Sequence, residues 1–205
     1  KAQIARLGKK RAYLRHIPNM HILAPADSGE LQEMVRQSLS WNGPCAIRYP
    51  KKAAMPNPAY PTTPFTLGKW KPLIKGNDAV ILAVGSMVGT AIAAANRLQK
   101  NGISMEAVNA STVKPLDESY LKQLEKRNIP VFTLEEHVLD GGFGSSLLEY
   151  NAMHGDRMTV HPIAVPDQFI PHGDHAILIK EIGLDAETVT QRIMHTIANG
   201  NYADE

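Results

Sequence analysis

The sequence predicts an α/β fold with a mainly parallel sheet, and three observations carry that prediction. Hydrophobic residues make up 43% of the 205 positions, enough to build a core, so wholesale disorder is excluded. A short apolar run, an amphipathic helix and a second short apolar run follow one another in residues 20–49, the unit of a parallel sheet. From residue 77 onward, runs of strand length alternate with stretches of helical length, as layered α/β domains require.

Met20–Ala24 is apolar and bounded by Pro18 and Pro25, which suits a buried strand. Asp27 stands three residues before Glu30, a capping-box-like spacing that opens a helix. Leu31, Met34, Val35 and Leu39 give that helix an apolar face, and Gly43-Pro44 stops it before a strand at Cys45–Tyr49. Five of the fourteen prolines fall between Pro50 and Pro64. Proline fixes φ and lacks an N–H, so this stretch reads as an extended linker between two domains. Phe65–Gly76 is a short strand or hairpin anchored by Trp70.

Beyond it, strand Ala79–Val84 precedes helix Met87–Lys100, stopped by Asn101-Gly102. Strand Ser104–Asn109 precedes helix Asp117–Lys126, which starts after Lys114-Pro115. Strand Val131–Glu135 leads through Gly141-Gly142-Phe143-Gly144 to helix Ser145–His154. Strand Thr159–Ala164 is followed by a short helix near His175–Ile182 and a last helix over Ala186–Ala198.

The formal net charge of +2 hides an asymmetry. Lys1, Arg6, Lys9, Lys10, Arg11 and Arg15 all lie in the first fifteen positions, which contain no acidic residue. Setting those six aside leaves 16 basic against 20 acidic side chains, a net of −4. Such an arm is a nucleic-acid or anion-binding tail, the solvated face of a terminal helix, or a piece of a larger domain. The lack of aromatic or glycine–arginine interleaving favours the last two. A single cysteine, Cys45, excludes an intramolecular disulfide framework and a multi-cysteine zinc site. No run reaches the roughly 18 apolar residues of a membrane span. No apolar core follows the basic start, so no secretory leader is expected there. The chain opens on Lys1 and not on methionine, so a processed, trimmed or partial chain is expected.

Chemistry concentrates in three places. Arg48-Tyr49-Pro50-Lys51-Lys52 lies at the carboxyl end of a predicted buried strand, where open α/β sheets bind ligands. Arginine's planar fork and lysine's compact charge both suit a phosphate; solubilising charge at a domain exit is the equal alternative. The turn at Gly141–Ser145 can aim N–H groups at an anion, or its glycines can serve positive φ and close helix–sheet packing, the commoner use. It lacks the full spacing of a dinucleotide fingerprint. His172 and His175 flank Gly173-Asp174 without other ligands near in sequence and read as turn or cap residues. Glu135 and Glu136 are adjacent, so in a strand they point to opposite faces and form no acid/base pair. Cys45 reads as core, not as a nucleophile.

Several strings together resemble the 1-deoxy-D-xylulose-5-phosphate synthase family. They are Tyr13–Met20 (YLRHIPNM), Ala24–Asp27 (APAD), Arg48-Tyr49-Pro50 after Gly43-Pro44, Lys114–Asp117 (KPLD), Glu135-Glu136-His137 with the Gly141–Ser145 turn, Pro166–Gly173 (PDQFIPHG) and Gly183–Ala186 (GLDA). Order and spacing are similar to the last third of that enzyme from about Tyr13 to Ile193. Lys-Pro-Leu-Asp and the glycine turn are shared with transketolases and 2-oxoacid dehydrogenase β subunits; YLRHIPNM and PDQFIPHG are more specific.

The resemblance implies the end of a thiamine-diphosphate pyrimidine-binding domain over residues 1–62, including the proline-rich linker. It implies a transketolase C-terminal domain over residues 63–205. It further implies a transferase that condenses pyruvate with glyceraldehyde 3-phosphate, releasing CO₂ and giving 1-deoxyxylulose 5-phosphate for isoprenoid, thiamine and pyridoxal synthesis. The implied setting is a homodimer in the cytoplasm, or the plastid stroma in a plant, with no membrane or nucleic-acid partner. Thiamine diphosphate and Mg²⁺ belong to the full-length enzyme, bound upstream of the matched region. No catalytic, cofactor or metal residue is therefore expected in this chain, and the chain alone is expected to bind no cofactor and to be inactive. Its partners are the remainder of the synthase and a second protomer. Of the family's Arg-Tyr-Pro-Arg corner, Arg48 is kept and Lys51 replaces the second arginine, so Arg48 and Lys51 are the expected phosphate contacts. Residues 1–12 depart from the family's Asp-Gly-x-Thr-His-Gln-Gly segment. A subunit of a split transketolase and a non-catalytic dimerisation module are the alternatives.

Overall fold

The computed structural model describes residues 10–50, 65–170 and 172–199. Helix α1 (Lys10–Arg15) leads to strand β1 (His21–Leu23), helix α2 (Ser28–Ser38) and strand β2 (Cys45–Ile47), and β1 and β2 pair in parallel as the crossover predicts. Asp27 caps α2 by accepting from the N–H of Glu30 at 2.8 Å, while the Glu30 carboxylate reaches back to the N–H of Ala26 at 2.7 Å. The predicted apolar face of α2 is covered only in part. Met34 is fully buried, whereas Val35 is 46% and Leu39 85% exposed. The proline-rich linker beyond Pro50 and the basic residues before Lys10 lie outside the described residues.

The remaining elements are β3 (Lys71–Ile74), β4 (Ala79–Ala83), α3 (Met87–Lys100), β5 (Met105–Asn109), β6 (Thr112–Lys114), α4 (Glu118–Arg127), β7 (Val131–Val138), α5 (Phe143–Met153), β8 (Val160–Val165), α6 (His175–Glu181) and α7 (Ala186–Asn199). Five strands form one sheet in the order β3-β5-β4-β7-β8; β3 alone runs antiparallel, so the region around Trp70 is an edge strand and not a hairpin. Side chains alternate across β4: Ala79, Ile81 and Ala83 join a core with α3 and α7, while Val80 and Leu82 join one with α4 and α5. Covering both faces is what a parallel sheet needs.

The sequence pattern does not show β6. It pairs antiparallel with β1 and completes a second, three-stranded sheet in the order β2-β1-β6. Met20, Ile22 and Ala24 share a core with Val113, Phe143 and Trp70, so the two sheets are packed together. Trp70 is the predicted anchor: its indole N–H donates to Thr112 O at 2.9 Å and its backbone N–H to Asp117 Oδ2 at 2.9 Å. Asp117 also caps α4 through the N–H of Tyr120.

Candidate phosphate site at the carboxyl edge of the sheet

The connections leaving β4 and β7 in the five-stranded sheet diverge, to β5 on one side and to β8 on the other. The chain passes from β4 through α3, on one face, to β5; it then crosses through α4, on the other face, to β7 on the far side of β4. Between the carboxyl ends of β4 and β7 lies the topological switch point, where open α/β sheets leave a crevice for ligands. Gly85 and Ser86 follow β4 there. A Cβ on Gly85 would stand 3.4 Å from that of Ala24, so the end of β1 closes on the same corner.

From β7 come two adjacent glutamates with separate tasks. Glu135 is fully buried and accepts from the N–H groups of Phe143 (2.8 Å) and Gly144 (2.7 Å) at the start of α5. A Cβ on Gly142 would fall 2.6 Å from Glu135 Oε1, and one on Gly144 would stand 2.9 Å from Thr133 Oγ1. The glycine turn therefore serves close packing, and the anion its N–H groups meet is the chain's own carboxylate. Glu136 points elsewhere: Ser86 Oγ donates to Oε2 at 2.7 Å and His175 Nε2 lies 2.9 Å from Oε1. Asp174 caps the start of α6 through the N–H of Ala176, which sets His175 at its first position.

Arg48 leaves β2 and reaches this corner, where its Nη2 donates to the backbone oxygen of Glu136 at 2.9 Å. Lys51 lies outside the described residues. Arg15, counted only as part of a basic arm, is a second guanidinium on the same turn: it donates to Gly142 O and Ser145 Oγ and pairs with Glu149 at 2.5 Å. Ser86 carries one local sequence signal, a Gly-Ser pair between a buried strand and a helix. Cys45 is half-buried against the cluster of Leu23, Met34 and Phe65, and burial pushes its thiol up, away from a thiolate nucleophile.

Among the described residues, no group of three or more His, Cys, Asp or Glu side chains is placed to hold a metal ion. The N–H groups of Phe143 and Gly144 at the start of α5, the donors a diphosphate would need, are taken by the Glu135 carboxylate. The described residues thus do not fit a thiamine diphosphate–Mg²⁺ cradle. No helix among them is long and apolar enough to cross a membrane.

A doubly covered parallel sheet with a charged corner at its switch point, joined to the edge of a second sheet, is a part of a multidomain α/β fold. Residues 68–189 match the transketolase C-terminal domain and residues 9–56 the transketolase pyrimidine-binding domain. The chain belongs to the transketolase family. It is 43% identical over 187 residues to the 1-deoxy-D-xylulose-5-phosphate synthase of Bacillus licheniformis, covering 89% of this chain and 29% of that protein. Its counterpart in Pelotomaculum thermopropionicum is 42% identical, over 93% of this chain and 30% of that protein. The Aquifex aeolicus synthase is 40% identical, over 92% and 30%. The chain thus spans about 30% of the length of these curated relatives. A solved structure described as a split gene transketolase, an inactive beta4 tetramer, superposes with a TM-score of 0.82 at 28% identity, over 93% of this chain and 61% of that one.

Proposed function

We propose that this chain is the C-terminal portion of a thiamine-diphosphate-dependent transferase that joins pyruvate to glyceraldehyde 3-phosphate, with loss of CO₂, to give 1-deoxy-D-xylulose 5-phosphate. The observation that carries this reading is the 40–43% identity to synthases of that name over about nine-tenths of the chain. Residues 1–62 end the pyrimidine-binding domain and residues 63–205 form the C-terminal domain. The diphosphate and its Mg²⁺ are held by the part of the enzyme upstream of the matched region, and a second protomer completes a cytoplasmic homodimer. The chain alone is inactive.

In this reading the chain's own residues hold the phosphorylated acceptor. The Arg48 fork, fixed at Nη2 by a backbone oxygen, turns its other N–H groups toward the acceptor phosphate, and Lys51 adds a point charge three residues on. A second reading, one subunit of a split transketolase completed by another polypeptide that carries the diphosphate domain, is favoured by the split-gene neighbour.

The test joins the two. Chain alone turns over no substrate, and activity appears when the upstream portion is supplied, fused or as a separate polypeptide. In that assembled enzyme, R48A and K51A each raise KM for glyceraldehyde 3-phosphate about tenfold or more. A non-catalytic module predicts no kinetic change in either variant, and that result would overturn the proposal.

A further inference from the structure

We infer that Glu136 is a positioning residue: clamped by Ser86 and His175, it holds the peptide carbonyl that aims Arg48 at the acceptor phosphate. The inference rests on the phosphate-binding reading of Arg48 and adds to it the device that orients the guanidinium.

An arginine on a strand end has a long stem and many rotamers, and a fork useful for a phosphate must be held in one of them. Here the holding group is the backbone oxygen of Glu136, 2.9 Å from Nη2. That oxygen is available because the pairing of β7 with β8 changes register between Leu134 and Val138, so the Glu136 peptide lies where the ladder is irregular. Irregular pairing frees a carbonyl but also loosens it, and such bulges beside binding sites re-aim groups. Three anchors restore its place. Glu135, the residue before, is fixed by the N–H groups of Phe143 and Gly144. On the opposite side of the strand the Glu136 carboxylate takes Ser86 Oγ on Oε2 and His175 Nε2 on Oε1. Glu136 is 6% exposed, so its carboxylate depends on these donors in place of water.

The geometry gives each donor a distinct origin. Ser86 comes from the turn after β4, at the foot of α3. His175 opens α6, just beyond the Pro166–Gly173 string. Arg48 comes from the other sheet. Three separate segments thus converge on one residue at the switch point, and Arg48 meets that residue at its backbone oxygen. This is a relay of position: hydroxyl and imidazole fix the carboxylate, the carboxylate fixes the peptide, and the peptide fixes the guanidinium.

The experiment uses the assembled enzyme and compares acceptors with and without phosphate, glyceraldehyde 3-phosphate against D-glyceraldehyde. R48A is the reference, and S86A/H175A is the test. The double variant lowers the preference for the phosphorylated acceptor, as a ratio of kcat/KM values, about fivefold, since a small misplacement of a binding group weakens what it holds. In the R48A background the same double variant lowers that preference no further, because its effect passes through Arg48. The conservative S86T/H175Q, which keeps a hydroxyl and an N–H donor, restores the preference and serves where the alanine protein folds poorly. If R48A lowers the preference and S86A/H175A does not, or acts additively with it, the positioning role is overturned while the phosphate site stands. If R48A itself has no effect, the phosphate reading falls and this inference with it.

Discussion

The two sheets differ in how completely they are enclosed. In the five-stranded sheet every residue of β4 and β5 is buried, and helices cover both faces. In the three-stranded sheet β2 is half-buried along its whole length, and α2 leaves Val35 and Leu39 to solvent. The difference shows where cohesion resides. The larger sheet closes a core from its own segments, whereas the smaller owes its third strand and part of its packing to the second half of the chain.

Breaking the larger core is expected to have the greatest effect. Phe132 is fully buried and stacks on His161 with ring centroids 5.0 Å apart. Phe132→Ala is expected to cost about 3–5 kcal/mol in guanidinium unfolding, by lost transfer energy and the cavity left behind. A loss below about 1 kcal/mol would contradict a tightly enclosed sheet.

Between the sheets stands Asp117. Burial opposes its charge, but the Ser119 hydroxyl, the N–H groups of Trp70 and Tyr120, and Lys69 outweigh it and hold the carboxyl below the usual carboxylate range. A lowered folded pKa contributes stability that is present above the unfolded value of about 3.8 and is lost as pH falls through the folded one. Asp117→Ala removes the α4 cap and orphans the Trp70 N–H, for an expected loss of about 2 kcal/mol at neutral pH. Titrated unfolding should show that deficit shrinking in acid.

Glu30, on α2, should give the smallest change and the opposite sign. Burial pushes its carboxyl up, against the bonds from Ala26, Asn109 and Ser111 and the charge of Lys71. A raised folded pKa means that wild-type stability falls as pH rises from about 4.5 through the folded value. Glu30→Gln removes this slope, so the two stability curves should converge toward low pH and separate above it. Parallel curves across that range would show that Glu30 carries no such linkage.

Much of this arrangement is legible in the residues, and the exceptions share a cause. Helix α3 runs over the predicted span Met87–Lys100, since a long apolar period between a strand and Asn-Gly is a purely local signal. Strand β6 is three residues long and exists through pairing with a strand some ninety positions away, so no local period marks it. Strand β7 runs past its expected end at Glu135 to Val138 because the buried carboxylates of Glu135 and Glu136 find donors on α5, α6 and the turn after β4. Polar residues normally signal a strand's exit from the core, and only the tertiary partners reverse that. The charge of Arg48 is legible in the sequence; its bond to the Glu136 backbone oxygen and the Ser86–Glu136 bond are not, because those residues are distant in sequence and ordinary in type. Arg15 was hidden for the same reason, its partners on α5 lying some 130 positions away.

The loan of β6 to the smaller sheet has a further consequence. A break in the peptide chain between the two halves would sever no strand pairing among the described residues, because the β1–β6 pairing and the Arg48–Glu136 bond join the halves without it. Supplied as a separate polypeptide, the first half is then expected to complete its neighbour by complementation, with affinity set by the described contacts and not by effective concentration.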